Sequence, residues 1–281
     1  MKVAVVGLGN NGQAKGGHLT ESELVEDIVV HDVDPDRTSA VVEKYRARPA
    51  RDFDEILADS QIGLVAIATP NDTHAQLTVA ALEAGKPVLC EKPMATTLKA
   101  ATSMVDAAER TGGFLQSGFE LRYSKLYTTI KEWIDAGLLG DVVNTHCTMV
   151  TSEYLGRRSW RADPEVCGDM FGEKLSHYVD LPRWWLPGEV RDIYAVSAPN
   201  IVPYFGIPDN YHAIYRFDDG TVSELSFFMG PASTIARDPL TGGRSRPAAG
   251  DGHELRYIVY GTRGAAQSEV YGRRLVRWEL G

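Results

Sequence analysis

The chain has 281 residues, 43% of them apolar and 24% charged, a composition typical of a globular protein with two domain cores. Its formal net charge of −9 argues against binding to nucleic acid or to an anionic membrane surface, because both need an excess of basic residues. Three scattered cysteines and the lack of a long apolar run argue against a disulfide framework, a zinc ribbon, a signal peptide and a membrane span. We therefore expect a cytoplasmic protein.

Strands and helices alternate through the first 120 residues. Short β-branched or apolar runs predict strands, and the longer segments between them predict helices. The predicted strands are residues 2–6, 26–32, 63–68, 87–90 and 114–117. The predicted helices are residues 12–20, 35–46, 73–84 and 98–110. This alternation predicts an α/β domain with a parallel sheet, whose ligand site lies beyond the carboxyl ends of the strands.

Strands predominate after residue 120. The predicted strands are residues 142–150, 190–197, 211–217, 222–229, 255–260 and 265–270, and the predicted helices are 124–136 and 172–186. Asp218-Asp219-Gly220 and Gly261-Thr262-Arg263-Gly264 predict hairpin turns. Residues 230–252, rich in Gly, Pro and Arg, predict a long mobile loop. We accordingly divide the chain into a dinucleotide-binding domain over 1–120 and an α+β domain over 121–281.

The first predicted strand leads directly into Gly7-Leu8-Gly9-Asn10-Asn11-Gly12, which opens the first predicted helix. In a G-x-G-x-x-G loop the first glycine allows a tight turn, the second lets a pyrophosphate approach the backbone, and the third lets helix and strand pack closely. Asp32 ends the second predicted strand, where a carboxylate binds the adenosine ribose hydroxyls and repels a 2′-phosphate. The sequence therefore predicts a Rossmann domain that prefers NAD, with NADP the less favoured alternative because Arg37 is near.

Five further motifs accompany this loop. They are Ala68-Thr69-Pro70-Asn71 followed by His74, Glu91-Lys92-Pro93, Gly118-Phe119-Glu120-Leu121-Arg122-Tyr123, Trp160-Arg161, and Gly172-Glu173-Lys174-Leu175-Ser176-His177-Tyr178-Val179-Asp180. Together they resemble the signatures of the glucose–fructose oxidoreductase/inositol dehydrogenase/MocA family over nearly the whole chain, and the Glu-Lys-Pro triplet is the most specific. The family usually carries aspartate where Glu173 stands, so the Glu-Lys-x-x-His form indicates a subgroup.

The resemblance implies a C-terminal α+β domain with a large open, mostly antiparallel sheet, through which such chains often form homodimers or homotetramers. It implies an NAD-dependent dehydrogenase that transfers hydride between nicotinamide and a carbinol or keto carbon of a sugar, cyclitol or related polyol. It also implies further cofactor contacts, from Thr69, Pro70, Asn71, His74, Glu91 and Lys92. Relatives usually extend past the last predicted hairpin, so the C-terminus is short for the family.

Two residues are the main catalytic candidates. Lys92 follows a predicted strand at the ligand edge, where the resemblance gives this lysine the role of polarising the substrate oxygen. His177 is the candidate for proton transfer, because histidine titrates near neutral pH. Glu173, four residues earlier on the same predicted helix face, is placed to orient the imidazole. Glu173, His177 and Asp180 also have metal-ligand spacing, but the sequence supplies no clear further ligand, so we expect no metal.

The substrate side has four more candidates, namely Arg122, Tyr123, Arg161 and Asp180. An arginine suits a carboxylate or phosphate on the substrate, and it equally suits an ion pair at a domain interface. Asp180 equally suits a hydrogen bond within the site or a role at the edge of the core. Two alternative functions stay open: a redox-neutral lyase or glycosidase that uses bound NAD transiently, and a non-catalytic NAD-binding sensor.

Overall fold

The chain packs as two compact units. The first contains Met1–Gly118 and Asp163–Gly168, and the second contains Phe119–Ala162 and Asp169–Gly281. The computed structural model describes residues 1–152, 159–230, 236–238, 243–245 and 252–280. In the part of the chain so described, no helix is long and apolar enough to cross a membrane.

A six-stranded parallel sheet forms the centre of the first unit. Its strands are β1 (Lys2–Val6), β2 (Asp27–His31), β3 (Arg48–Pro49), β4 (Ile62–Ile67), β5 (Val88–Cys90) and β6 (Leu115–Ser117). Its helices are α1 (Asn10–Thr20), α2 (Pro35–Tyr45), α3 (Phe53–Ala58), α4 (His74–Glu83) and α5 (Leu98–Thr111). The strand order β3-β2-β1-β4-β5-β6 is that of a Rossmann fold, which confirms the predicted fold class for this half.

The sheet is built from strands buried on both faces. Val3, Ala4, Val5 and Val6 are each at most 3% exposed, as expected for a central parallel strand with helices on either side. All five predicted strands and all four predicted helices are present, with ends shifted by a few residues at most. The short elements β3 and α3 were not predicted.

The second unit contains a seven-stranded sheet. Its helices are α6 (Lys125–Asp135) and α8 (Ser176–Trp185), and the short α7 (Pro164–Cys167) between them belongs to the first unit. Its strands are β7 (Val142–Thr151), β8 (Val190–Val196), β9 (Asn210–Phe217), β10 (Val222–Met229), β13 (Glu254–Gly261), β14 (Gly264–Glu269) and β15 (Arg274–Glu279), while β11 (Ala236–Asp238) and β12 (Gly243–Ser245) pair separately. The order is β15-β14-β13-β7-β10-β9-β8, and all neighbours run antiparallel except β7 and β10. This sheet confirms the mostly antiparallel second half.

Two predictions for this half need correction. The helix predicted over 172–186 is not uniform, because Phe171–Leu175 form a π-helical turn that runs into α8. The loop predicted over 230–252 contains the antiparallel pair β11 and β12, and its remaining residues from 231 to 251 lie outside the described part. The terminal strand β15 was not predicted.

Aromatic side chains attach α8 to the sheet. The Trp185 ring meets the Tyr257 ring edge-to-face with centroids 5.0 Å apart. The Tyr257 hydroxyl donates a hydrogen bond to the carbonyl of Tyr178, 3.1 Å away. These buried contacts hold both ends of α8, whose first turn carries His177.

Candidate active site

The carboxyl ends of four strands lie side by side in the first sheet. Val6 is in register with His31 and with Ile67, and Ile67 is in register with Cys90. The residues that follow these ends are Gly7, Asp32, Ala68-Thr69 and Glu91-Lys92. The strand register therefore brings four of the predicted cofactor motifs to one edge, where parallel sheets bind their ligands.

The glycine loop has three different local environments. Gly7 has φ +87°, and a Cβ on it would lie 2.6 Å from the Thr69 amide nitrogen. A Cβ on Gly12 would lie 1.8 Å from the Gly7 carbonyl oxygen. Gly9 has ordinary backbone angles, and its Cβ would meet nothing within 4 Å. The outer glycines thus permit the turn, and the middle glycine borders an open cradle.

The N-terminus of α1 borders this cradle, and no side chain caps it by a hydrogen bond. Gly9 is its N-cap residue, the first turn contains no acidic side chain, and Asn10 and Asn11 are exposed. The first N–H groups of a helix attract an anion such as a pyrophosphate. The donor set and the open space over Gly9 therefore fit the phosphates of a dinucleotide.

Asp32 supports the loop from the end of β2. Its Oδ2 accepts a hydrogen bond from the Leu8 N–H at 2.6 Å, and its Oδ1 accepts one from the Asp34 N–H at 2.9 Å. The Arg37 guanidinium lies 3.9 Å from the same Oδ2 and 3.2 Å from the Asp34 carboxylate. Asp32 thus has two roles in the geometry, holding the glycine loop and presenting a carboxylate beside it.

The Thr69-Pro70-Asn71 segment follows β4 and is tied down at both ends. Thr73 donates a hydrogen bond from its hydroxyl to that of Thr69, 2.6 Å away. Buried Asn71 donates from Nδ2 to the carbonyl of Cys167 in α7, at 2.9 Å. These bonds hold the segment at the ligand edge, with Pro70 exposed.

His74 is 1% exposed and lies between two loops. Its Nδ1 is 2.8 Å from the carbonyl oxygen of Pro93, and its Nε2 is 2.9 Å from that of Thr69. The imidazole therefore joins the loop after β4 to the loop after β5 by bonding to their backbones.

The Glu91-Lys92-Pro93 segment follows β5. Buried Glu91 forms an ion pair with Lys15 of α1, and its Oε2 accepts a hydrogen bond from the Lys92 N–H at 3.2 Å. Gly118 packs against Glu91, because a Cβ on Gly118 would lie 3.2 Å from Oε2. Lys92 is half-buried and precedes a cis peptide bond to Pro93. The motif is thus held to the helix that begins in the glycine loop.

In the second unit, His177 lies in the first turn of α8 with its side chain 9% exposed. Its Nε2 is 3.3 Å from Oε1 of Glu120, which belongs to the 3₁₀ helix Glu120–Tyr123. The Phe119 ring meets the imidazole edge-on, with centroids 6.2 Å apart. The carboxylate at Nε2 is therefore contributed by a distant segment of the chain.

Glu173, predicted to orient His177, has a short bond to an arginine. Its Oε1 accepts from Arg161 Nε at 2.6 Å, and the Arg161 guanidinium stacks 4.4 Å from the Trp160 ring centroid. Burial lowers the pKa of the neighbouring Lys174, and the Glu173 carboxylate opposes that shift. Glu173 thus pairs with a cation from the Trp160–Ala162 helix.

Asp180 and Arg122 pair with each other. Arg122 donates from Nε and Nη2 to the two oxygens of Asp180, at 2.7 and 2.6 Å. The hydrogen bond to Asp180 raises the pKa of Arg122. Tyr123, the next residue, is 74% exposed. Both of the arginines predicted for the substrate side therefore bind buried carboxylates of their own unit.

Sequence reasoning missed two charged residues that contact predicted site residues. Glu120 stood inside a recognised motif, but nothing in the motif indicated its contact with His177. Lys15 lies on a predicted helix, and no local pattern indicated its pairing with Glu91. Among the residues that the structure describes, no group of three or more His, Cys, Asp or Glu side chains is placed to hold a metal ion.

Two family models match the chain. The model of the oxidoreductase family with an NAD-binding Rossmann fold (GFO_IDH_MocA) matches residues 1–119. The GFO/IDH/MocA C-terminal domain model matches residues 127–267. Between them the two models cover most of both units.

Individual relatives are dehydrogenases. The chain is 31% identical over 202 residues to an inositol 2-dehydrogenase of Acidothermus cellulolyticus, with 70% of this chain and 57% of the relative aligned. It is 36% identical over 206 residues to inositol 2-dehydrogenase 3 of Saccharopolyspora erythraea, with 72% and 57% aligned. The chain thus spans less than two thirds of the length of these curated relatives. The crystal structure of GenD2 from gentamicin A biosynthesis in complex with NAD superposes with a TM-score of 0.81 at 25% identity, covering 96% of this chain and 72% of that one.

Proposed function

Because the chain belongs to the GFO/IDH/MocA oxidoreductase family, whose N-terminal domain is an NAD-binding Rossmann fold, we propose that it is an NAD(H)-dependent dehydrogenase. Its substrate is a sugar, cyclitol or related polyol, oxidised at a CH–OH group or reduced at the matching ketone. The observation that carries the proposal is the sheet register that collects the glycine loop, Asp32 and Glu91-Lys92-Pro93 at one edge. The names of the inositol dehydrogenase relatives support the substrate class.

The first unit holds NAD through the glycine cradle and Asp32. The open space at Gly9 and the uncapped N-terminus of α1 suit the pyrophosphate. The Asp32 carboxylate suits the adenosine ribose hydroxyls and repels a 2′-phosphate, so NAD is favoured over NADP. When bound, NAD supplies the nicotinamide ring that accepts or returns the hydride.

The remaining chemistry falls to two residues. Lys92, anchored through its backbone beside Glu91, polarises the substrate oxygen, and His177 exchanges the hydroxyl proton. Thr69, Asn71 and the buried His74 position the loops around the cofactor.

The ion pairs of the second unit support an uncharged substrate. Arg122 and Arg161 already bind Asp180 and Glu173, so neither arginine offers an unneutralised charge to a carboxylate or phosphate. Tyr123 remains a candidate for substrate contact because it is exposed. Comparing a neutral polyol with its uronate and its phosphate ester tests this assignment.

The assembly and compartment are also part of the proposal. Tyr194, Val196 and Ile214 are 69%, 45% and 49% exposed, and cross-strand pairing sets Tyr194 opposite Ile214 on one face of the second sheet. Such an apolar face supports a homodimer or homotetramer, which sedimentation tests. All three cysteines are buried thiols, which supports a reducing compartment such as the cytoplasm. The domain division at residue 120 is tested by expressing 1–120 alone.

The main experiment follows absorbance at 340 nm with NAD and a panel of polyols, and with NADH and keto-sugars. Lys92→Met and His177→Asn should each lower kcat/KM by at least about 100-fold, the usual range for positioned proton-transfer groups. Exposed Lys99→Met and His18→Asn are matched controls that should retain activity. Product without net NADH formation would favour the redox-neutral alternative, and tight NAD binding with no product would favour a sensor.

A further inference from the structure

The carboxylate beside His177 has no role in the mechanism above. Glu120 Oε1 lies 3.3 Å from His177 Nε2, and the two side chains are 66% and 9% exposed. We propose that Glu120 is a positioning residue that stabilises protonated His177 until its proton passes to water. This inference rests on the proposed function, in which His177 takes the hydroxyl proton.

The two ring nitrogens of His177 have different surroundings. Nδ1 is buried, so exchange of a proton with substrate or water takes place at Nε2. Glu120 contacts that same nitrogen from the exposed side. A proton taken up by the buried ring therefore reaches solvent beside the Glu120 carboxylate.

A second contact fixes the distance between Glu120 and His177. Arg122, two residues after Glu120, binds both oxygens of Asp180, three residues after His177. The 3₁₀ helix Glu120–Tyr123 and α8 are thus joined by two contacts. The bidentate bond between Arg122 and Asp180 fixes the geometry of the weaker contact between Glu120 and His177. The Phe119 ring packs edge-on against the imidazole and limits its rotation.

The other nearby carboxylates are less suited to this role. Asp180 accepts two short hydrogen bonds from Arg122, and Glu173 accepts one from Arg161. An arginine at this distance neutralises most of the field that a carboxylate exerts on a neighbouring imidazole. The contact at Nε2 therefore assigns the stabilising charge to Glu120.

Oxidation of the substrate releases one hydride and one proton. During oxidation the carbinol C–H bond breaks and its electron pair leaves as hydride to the dinucleotide, the O–H bond breaks, and the C=O double bond forms. The hydroxyl proton goes to His177 Nε2, and the Glu120 carboxylate beside that nitrogen stabilises the positive charge of the resulting imidazolium. Water at the exposed carboxylate then removes the proton, which restores the neutral ring.

The test combines kinetics with a spectrum that needs no substrate. Glu120→Gln keeps the size of the side chain and removes its charge, so kcat for oxidation should fall about 10- to 100-fold, the loss of one charge-assisted bond. KM and the Kd for NAD should change less than about twofold, because Glu120 contributes to binding of neither the substrate nor the cofactor in the ground state. Glu120→Asp should restore part of kcat, and added formate should restore part of it in Glu120→Ala.

The chain offers a matched control in a second His–Glu pair. His146 Nδ1 lies 3.2 Å from Glu224 Oε2 in the second sheet. In ring ¹H–¹⁵N correlation spectra, Glu120→Gln should move the His177 signals and leave those of His146, and Glu224→Gln should do the reverse. Glu224→Gln should keep wild-type kcat and show no response to formate.

The proposal is overturned if Glu120→Gln keeps wild-type kcat, if kcat falls only together with the melting temperature, or if formate has no effect on Glu120→Ala. Unchanged His177 signals in Glu120→Gln would overturn it as well. If the wild-type protein transfers no hydride with any polyol, the proposed function fails, and the ring spectra still decide whether Glu120 and His177 interact. The two failures are therefore distinguishable.

Discussion

Gly9→Ala separates binding of the dinucleotide from folding of the loop that holds it. Gly9 is the N-cap residue of α1 with φ −65° and ψ −171°, angles that alanine adopts without strain. Its new methyl group would meet nothing within 4 Å, so the melting temperature should stay within about 1 °C of wild type, as for other substitutions without contacts. The methyl would occupy the space through which a phosphate reaches the helix N-terminus.

The expected loss of affinity follows from the hydrogen bond that the methyl group prevents. A backbone N–H bond to a charged phosphate contributes about 1.5–3 kcal/mol, which corresponds to a roughly 10- to 150-fold weaker Kd for NADH. Gly12→Ala is the contrasting variant, because its Cβ would lie 1.8 Å from the Gly7 carbonyl oxygen. Forcing that backbone apart should cost about 1–3 kcal/mol or more and lower the melting temperature by several degrees.

The assay is titration of NADH by isothermal calorimetry, paired with thermal unfolding of both variants and wild type without ligand. Gly9→Ala should alter only the titration, while Gly12→Ala should alter both measurements. An unchanged NADH Kd in Gly9→Ala would refute the assignment of the open space to the pyrophosphate. A large loss of stability in Gly9→Ala would refute the geometry of the loop itself.

Three further outcomes follow from the structure. Asp32→Ala removes the carboxylate beside the glycine loop, so the ratio of the NADPH Kd to the NADH Kd should fall by at least about tenfold in parallel titrations. An unchanged ratio of the two Kd values would contradict the proposed ribose contact. Buried Asp209 accepts hydrogen bonds from two backbone N–H groups and an amide, so Asp209→Ala should lower the free energy of unfolding in urea by about 3 kcal/mol, and a change under about 1 kcal/mol would contradict this. Burial raises the pKa of four tyrosines above the ordinary 10.0, so the stability that their neutral side chains contribute is complete below pH 10 and is lost as pH rises further. The urea midpoint of unfolding should therefore fall from pH 10 upward. Titration of all phenols together near pH 10 in the folded protein would contradict the raised pKa values. The four are Tyr127, Tyr178, Tyr215 and Tyr257.

The first half of the fold was predictable because its signals are local. The run Val3–Val6 is apolar at every position, as a strand covered on both faces requires, and Gly7 with φ +87° marks its end. The strand and the helix that were missed in this half gave no such signal. β3 has only two residues, and α3 has six, with Ile56 as its one fully buried side chain.

The second half was less predictable where the backbone departs from a regular α-helix or β-strand. Hairpin turns at Asp218-Asp219-Gly220 and Gly261–Gly264 were visible because they use glycine at special positions, and β9–β10 and β13–β14 pair across them. The π-helical turn at Phe171–Leu175 was not visible, since apolar spacing does not distinguish it from an α-helix of the same length.

In the candidate site, local sequence patterns likewise did not indicate which charged side chains bind each other. Spacing on one helix predicted that Glu173 orients His177, because residues four apart are neighbours on a helix surface. The contact of Glu173 with His177 stays a prediction, and spacing on the helix gave no indication of the cation that Glu173 binds. Arg161 offers Glu173 a charge-assisted bond of 2.6 Å, which is stronger than a bond to a neutral imidazole.

Pairing with an arginine also explains why the contact at His177 comes from Glu120. Arg122 binds Asp180 and thereby joins the 3₁₀ helix Glu120–Tyr123 to α8. This contact places Glu120 beside Nε2 of His177. A sequence motif lists both arginines and all three carboxylates but does not state which arginine takes which carboxylate. Because arginine binds carboxylates strongly and with a fixed geometry, the tertiary fold decides which carboxylate each arginine takes, and helical spacing alone does not.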